Sequence, residues 1–405
     1  MTDTPSACVS TGREPPIANR NRARVTALSG LVALAVAMGI GRFAFTPVLP
    51  MMQAEGTLTV AEGGLLAAAN YLGYLLGALC AAWVRLPPGR LIRGALGVIG
   101  AGTLLMAMAA DFPLWLALRF VAGIASALVL VHVTAWSLER LAAMNAPRAG
   151  GIVFSGVGVG IAAAGLLCLA AMHFKIGAAW SWGLLGIAAG IGLGAVWSSF
   201  GTRDDVLRGP TAAAGRRESS NSDWIWIFCY GAFGFGYIVP ATFLPAMARQ
   251  ALPDPAWFGW VWPVFGAAAA LSTLMAARLV TAWGARRLWA ASHVVMAIGV
   301  IFPLVVSSLA GLLVSALLVG GTFMVATMAA MQHARAIAGS NATRLIAAMT
   351  AAFATGQVVG PLAVSALKHR PDGGLAIALG GSGVLLVLSA IVLAIVRVEK
   401  PFHTP

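Results

Sequence analysis

Residues 39–52 read GIGRFAFTPVLPMM, which places an arginine, Arg42, in the middle of an otherwise apolar run. That run extends from about residue 26 to residue 52, long enough to cross a hydrocarbon core roughly 30 Å thick. An arginine at the centre of such a helix costs about 2.5–3.5 kcal/mol on insertion scales, so it is expected to face protein or water, not lipid. Counting inward from Met52 at about 1.5 Å per residue puts Arg42 roughly 15 Å from the nearer end of the span. Snorkelling to a headgroup is awkward from that depth.

The rest of the chain has the same character. Of 405 residues, 60% are hydrophobic and only 10% charged, against about 25% charged in a soluble domain. The apolar runs do not alternate with polar residues as barrel strands do over about ten positions. An all-α polytopic membrane protein is therefore expected. Twelve spans can be drawn, roughly 26–52, 59–84, 91–110, 113–138, 148–172, 177–200, 224–249, 256–280, 288–307, 309–334, 344–367 and 374–396.

One long polar segment, GTRDDVLRGPTAAAGRRESSNSD at 201–223, divides the spans six and six. The expected organisation is a tail at 1–24, a six-helix bundle at 25–200, the central loop at 201–223, a second bundle at 224–397 and a tail at 398–405. Twenty of the 26 lysines and arginines fall on the side of the termini and the central loop, and four on the other. Positive residues stay cytoplasmic in short loops, so both termini and the loop are expected in the cytoplasm. A bacterial-type inner membrane is the expected location. Trp115, Trp180, Trp182, Trp224 and Trp257 near span ends fit an interfacial belt.

The net charge of +13 is explained by these loop arginines and needs no nucleic-acid partner. Cys8, Cys80, Cys168 and Cys229 are too scattered for a disulfide framework or a metal cluster. No G-x-x-x-x-G-K-[ST] loop is present, so ATP hydrolysis by this chain is not expected. No constellation of carboxylates, metal ligands or nucleophile with base suggests an enzyme. Neither cofactor nor metal is expected, and the chain reads as a monomer in the bilayer.

Shifting the sequence by 195 residues lays GIGRFAFTPVLPMM on GFGYIVPATFLPAM, residues 234–247. Gly39 meets Gly234, Gly41 meets Gly236, Pro50 meets Pro245, and Arg42 meets Tyr237. The same shift brings Gly89 onto Gly284, each before a helix on the cytoplasmic side, and a shift of 200 pairs Gly156 and Gly160 with Gly356 and Gly360. Parallel repeats of this kind mark secondary transporters whose halves rock about a site near the bilayer midplane.

On GIGRFAFTPVLPMM and on AEGGLLAAANYLGYLLGAL at 61–79, the chain resembles a major facilitator superfamily transporter, and within it the YbfB/YjiJ family. The resemblance implies alternating access for a small solute, with protons as the coupling ion. The superfamily's loop signature between helices 2 and 3 is incomplete here. Gly89 survives, but Leu86-Pro87 stands where an Asp-Arg pair is usual, and Thr281-Ala282 precedes Gly284 in the second half. Arg119 to Gly123, RFVAG, is similar to the Arg-x-x-x-Gly motif of proton-coupled exporters.

Depth counting puts Asn70 and Tyr71 level with Arg42, with Tyr74 nearby. The expected substrate or coupling set is Arg42, Asn70, Tyr71, Tyr74, Tyr237 and Gln357, the last set against a simple inter-helix hydrogen bond. For Arg42 the competing reading is a structural ion pair or bonds to helix backbone. Arg119 and Glu62 are candidates for proton coupling. Against this, Arg119 could snorkel or be structural, and Glu62 could be a solvated helix-end charge. Gly89 and Gly284 are candidate gating turns. His132, His293 and His333 each stand alone in sequence, more like packed histidines than relays. Internal arginines with few internal acids favour an anionic or zwitterionic solute. A channel or sensor is the rival reading.

Overall fold

A computed structural model describes residues 16–109, 111–201, 223–251, 255–306, 308–366 and 374–396. The C-terminal tail, most of the N-terminal tail and nearly all of the central loop lie outside the described residues. Among the described residues, twelve helices are long and apolar enough to cross a membrane, and no strand is present.

The first half has six helices. The first, α1, is built from Pro16–Leu34, a π-helical stretch Ala35–Phe43, and Phe45–Ala54. It is followed by α2 (Val60–Ala81), α3 (Pro88–Met108), α4 (Phe112–Ala143), α5 (Gly150–His173) and α6 (Ala178–Val196). The second half holds α7 (Asp223–Ala251), α8 (Pro255–Trp283), α9 (Ala285–Val305), α10 (Leu309–Ala338), α11 (Ala342–Ala366) and α12 (Leu375–Ile395). The helices α4 and α10 each run about one turn beyond the spans read from sequence. Their last turns carry Arg140 and Arg335, cations that suit the negative end of a helix dipole.

Helix starts follow from local chemistry. Thr59 caps α2 in a reciprocal box: its hydroxyl accepts from the Glu62 N–H at 3.2 Å, and the Glu62 carboxylate accepts from the Thr59 N–H at 2.8 Å. Pro87 and Pro88 open α3, where a missing N–H costs nothing. Apolar side chains cover the outside of the bundle as well, with Leu65, Leu72, Leu76 and Leu79 of α2 and Ile187 and Ile191 of α6 exposed. This is the arrangement a lipid solvent requires and water would penalise.

The repeat seen in sequence recurs in the packing. In the first half α1 lies on α5, α2 on α4, and α3 on α4 and α6. The second half repeats this with α7 on α11, α8 on α10, and α9 on α10 and α12. Glycines set the shared contact: Gly156 and Gly160 seat α5 on the backbone of Leu31 and Ala35, while Gly356 seats α11 on Gly231 and Phe235. The halves meet through two equivalent seams, α5 with α8 and α2 with α11. On the first seam Gly158 and Gly266 face each other so closely that a Cβ on either would strike the partner backbone. Small residues of this kind let membrane helices touch along their backbones.

Candidate functional site

Arg42 lies at the end of the π-helical stretch of α1, and the sequence explains both its position and its setting. The π-helical stretch ends at Phe43 and the α-helix resumes at Phe45, and across that change of register, just before Pro47 with its missing N–H, a backbone carbonyl can lose its ladder partner. Such a carbonyl in an apolar interior must find a donor elsewhere. Arg119 of α4 supplies it, donating through Nη2 to the Arg42 carbonyl and through Nη1 to the Gly41 carbonyl, both at 3.1 Å. Asn70 of α2 donates to the Gly41 carbonyl at 3.4 Å and to the Arg119 carbonyl at 2.9 Å. Ser126 of α4 donates to the Ala37 carbonyl at 2.8 Å. Three polar side chains from two neighbouring helices thus bind the backbone of α1 where its regular ladder changes.

The reach of Arg119 depends on close packing beneath it. Gly123, one turn further along α4, rests on the backbone of Asn70 and Tyr74, leaving no room for a Cβ. The α2–α4 contact built on this glycine brings Arg119 across to α1, where its guanidinium lies 4.8 Å from the Phe45 ring. The RFVAG stretch is therefore a local device with two parts, an arginine that binds α1 and a glycine that sets its distance.

The side chain of Arg42 is only 3% exposed. Its Nη2 donates to Oε1 of Gln357 on α11, so one hydrogen bond joins the two halves of the molecule. The guanidinium carbon lies 3.8 Å from the centre of the Tyr74 ring and 5.5 Å from those of Tyr71 and Phe43. Two of its nitrogens, Nε and Nη1, have no hydrogen-bond partner, and the same is true of Gln357 Nε2 and Tyr74 Oη. Among the described residues no carboxylate lies within ion-pairing distance of Arg42 or Arg119. The described acids Glu55, Glu62, Asp111, Glu139 and Asp223 all lie at or near helix ends.

The structure separates the residues singled out from sequence into groups. Arg42, Tyr71, Tyr74 and Gln357 come together. Asn70 and Arg119 adjoin them but bind backbone, with Asn70 Oδ1 and Arg119 Nε left without partners. Tyr237, the repeat counterpart of Arg42, is buried in the second half and stacks on Phe323 at 4.4 Å. Glu62 stands apart, in the capping box that starts α2. His293 bridges α9 and α12, with Nε2 accepting from Trp289 at 2.8 Å and Nδ1 3.1 Å from Ser389 Oγ. His132 bonds the Leu128 carbonyl of its own helix, and His333 packs edge-on to Trp226.

Gly89 and Gly284 prove unlike in geometry. Gly284 is the exposed residue before α9, with a φ of +80°, whereas Gly89 is buried as the second residue of α3, behind Pro88. The proline has drawn the first turn of α3 two residues earlier than its counterpart.

Aromatic residues that the sequence did not single out complete the surroundings. Phe43 meets Phe323 edge-on at 6.0 Å and lies 6.4 Å from Trp262, both across the junction in the second half. Within an apolar run these rings carry no signal that separates them from ordinary core.

A family model described as "Uncharacterised MFS-type transporter YbfB" matches residues 34–394. Comparison with curated proteins yields no significant match. Among solved structures, the human organic anion transporter MFSD10 (TETRAN) is similar, with a TM-score of 0.68 and 15% identity. The match covers 94% of this chain and all of that one. At that identity the likeness speaks for the fold alone. Twelve membrane-length helices in two equivalent sets of six, joined through a buried polar junction, agree with the family match: the chain belongs to the major facilitator superfamily, in the YbfB-type family of transporters.

Proposed function

We propose that this transporter carries a small organic anion or zwitterion across a bacterial-type cytoplasmic membrane by alternating access, and that Arg42 is its anchor. One observation carries the reading: a buried guanidinium at the junction of the two halves, with unpaired N–H groups and, among the described residues, no carboxylate beside it. A buried charge left alone is costly, and a cation with open donors is matched by a carboxylate. Tyr71, Tyr74 and Gln357 would complete the contacts, and Tyr237 would serve on the opposite wall. Asn70 and Arg119 would hold α1 in the shape that aims Arg42. The chain has no P-loop, so the energy comes from an ion gradient. Protons are the proposed ion, on the resemblance of RFVAG to exporter motifs. The 20-to-4 distribution of basic residues supports cytoplasmic termini and a cytoplasmic central loop, and the protein is proposed to act as a monomer.

Counterflow tests this reading. Proteoliposomes preloaded with unlabelled phenylacetate, succinate or alanine should transiently concentrate a trace of the same labelled compound for at least one of the three. The flux should saturate and should vanish in Arg42→Gln. Flux that never saturates, or that the Arg42→Gln protein retains, would contradict it.

Gly284 is proposed as a rocking turn. Its φ of +80° with ψ of 149° suits glycine alone, and a side chain there costs of the order of 1–3 kcal/mol. Gly284→Val should slow counterflow several-fold and leave the half-saturating concentration within about twofold of wild type. Gly89→Val meets no positive φ but a buried helix start, so it should also lower the yield of folded protein. A Gly284→Val carrier with normal rate and weakened half-saturation would refute the assignment.

A further inference from the structure

The number and kind of groups around Arg42 narrow the solute further. The inference rests on the reading of Arg42 as an anion anchor and adds a statement about the rest of the molecule that arrives there. Arg42 can still offer one two-pronged edge. Nη2 has two hydrogens, and whichever goes to Gln357, the other shares an edge with Nε or with Nη1, both unpartnered. One carboxylate occupies that edge. A second acidic group would find a less available guanidinium, because both Nη atoms of Arg119 already donate to the carbonyls of Gly41 and Arg42. Arg119 adds positive potential beside the site, and Nε is its one nitrogen without a partner.

The groups around that edge are apolar. Phe43, Tyr71 and Tyr74 surround the guanidinium within 5.5 Å. Across the junction Phe43 meets Phe323 and Trp262, and Phe323 stacks on Tyr237. Trp262 in turn stacks on Phe265 at 5.4 Å. The spare polar atoms recorded here are few: Gln357 Nε2, Tyr74 Oη and the Trp262 indole N–H, with Asn70 Oδ1 and Arg119 Nε adjoining. A sugar acid would bring several hydroxyls into such surroundings, and each unpaired one costs about 1–3 kcal/mol. A phosphate or dicarboxylate would bring a second charge at higher cost. An aromatic or comparably compact apolar body loses nothing there and gains ring contacts worth about 0.5–1.5 kcal/mol each.

We infer that the solute is an amphipathic monocarboxylate: one carboxylate on the Arg42 edge, and an aromatic or similarly compact apolar body against Phe43, Phe323 and Tyr237.

Binding to the purified full-length protein, followed by thermal shift and titration calorimetry, tests this with five probes. These are phenylacetate, its neutral analogue 2-phenylethanol, succinate, inorganic phosphate and gluconate. Phenylacetate should bind at least tenfold more tightly than any of the other four. Arg42→Gln should abolish that preference, and Phe323→Leu should weaken phenylacetate at least threefold while leaving unliganded melting close to wild type. If succinate, phosphate or gluconate binds as tightly as phenylacetate and needs Arg42, the anion reading stands and the apolar-body inference is overturned. If 2-phenylethanol matches phenylacetate, or Arg42→Gln retains binding, both fall. Absence of phenylacetate binding to wild type overturns the inference as well.

Discussion

Replacing Arg119 by lysine should damage the protein at least as much as replacing it by leucine. The expectation is counter to a charge-conservation view and follows from where the guanidinium goes. Arg119 donates to two carbonyls of α1, at Gly41 and Arg42, where the helix register changes. Hydrogen bonds from a charged group are worth about 1.5–3 kcal/mol each, so the pair gives roughly 3–6 kcal/mol. Against this stands the cost of holding a cation at that depth, about 2.5–3.5 kcal/mol. Leucine loses both bonds but removes the charge, so the second effect offsets only part of the first. Lysine keeps a charge that is more strongly hydrated and lacks the planar fork that spans two carbonyls. It therefore keeps the cost and loses part of the return.

Both variants should lower the detergent melting temperature by several degrees and reduce counterflow by more than about tenfold, because the α1 segment carrying Arg42 is no longer held. Thermal melts and counterflow on the same preparations decide the matter. A lysine variant with near wild-type melting and transport, beside a leucine variant with neither, would show that charge alone matters. The coupling role suggested by the RFVAG resemblance would then replace the clamp.

Much of the fold was legible because membrane helices report themselves through length and apolarity. The number of spans and the pairing of Gly156 and Gly160 with Gly356 and Gly360 came from residue type and spacing. Counting depth along straight helices was also enough to bring Tyr71 and Tyr74 beside Arg42. It could not give direction. Asn70 stands at the right depth, yet its amide turns to the carbonyls of Gly41 and Arg119. The cause is the π-helical register of Ala35–Phe43, which apolar periodicity does not distinguish from a regular helix. Pro47, five residues after Arg42, is the one local sign of it, and its meaning appears only once the register is known. Gln357 was visible as a polar residue in α11, but its bond to Arg42 joins positions 315 residues apart. Phe43, Trp262 and Phe323 were invisible as a group, since a ring against a site and a ring in the core look alike in sequence. The 195-residue shift equated Gly89 with Gly284 and missed that Pro88 changes the turn in one copy.

The anchor role of Arg42 is tested most directly by measuring melting and ligand-induced stabilisation together on wild type, Arg42→Lys and Arg42→Gln. A ligand at a hundred times its dissociation constant stabilises a folded protein by about 2.7 kcal/mol, well above the resolution of a melting curve. Wild type should be stabilised by a carboxylate probe such as phenylacetate. Arg42→Lys keeps the charge without the fork and should show a reduced shift. Arg42→Gln should remain folded, since it removes a buried unpaired cation, and should show no shift and no counterflow. If Arg42→Gln is folded, stabilised by the same probe and transports at the wild-type rate, the arginine is not the anchor and the solute binds elsewhere.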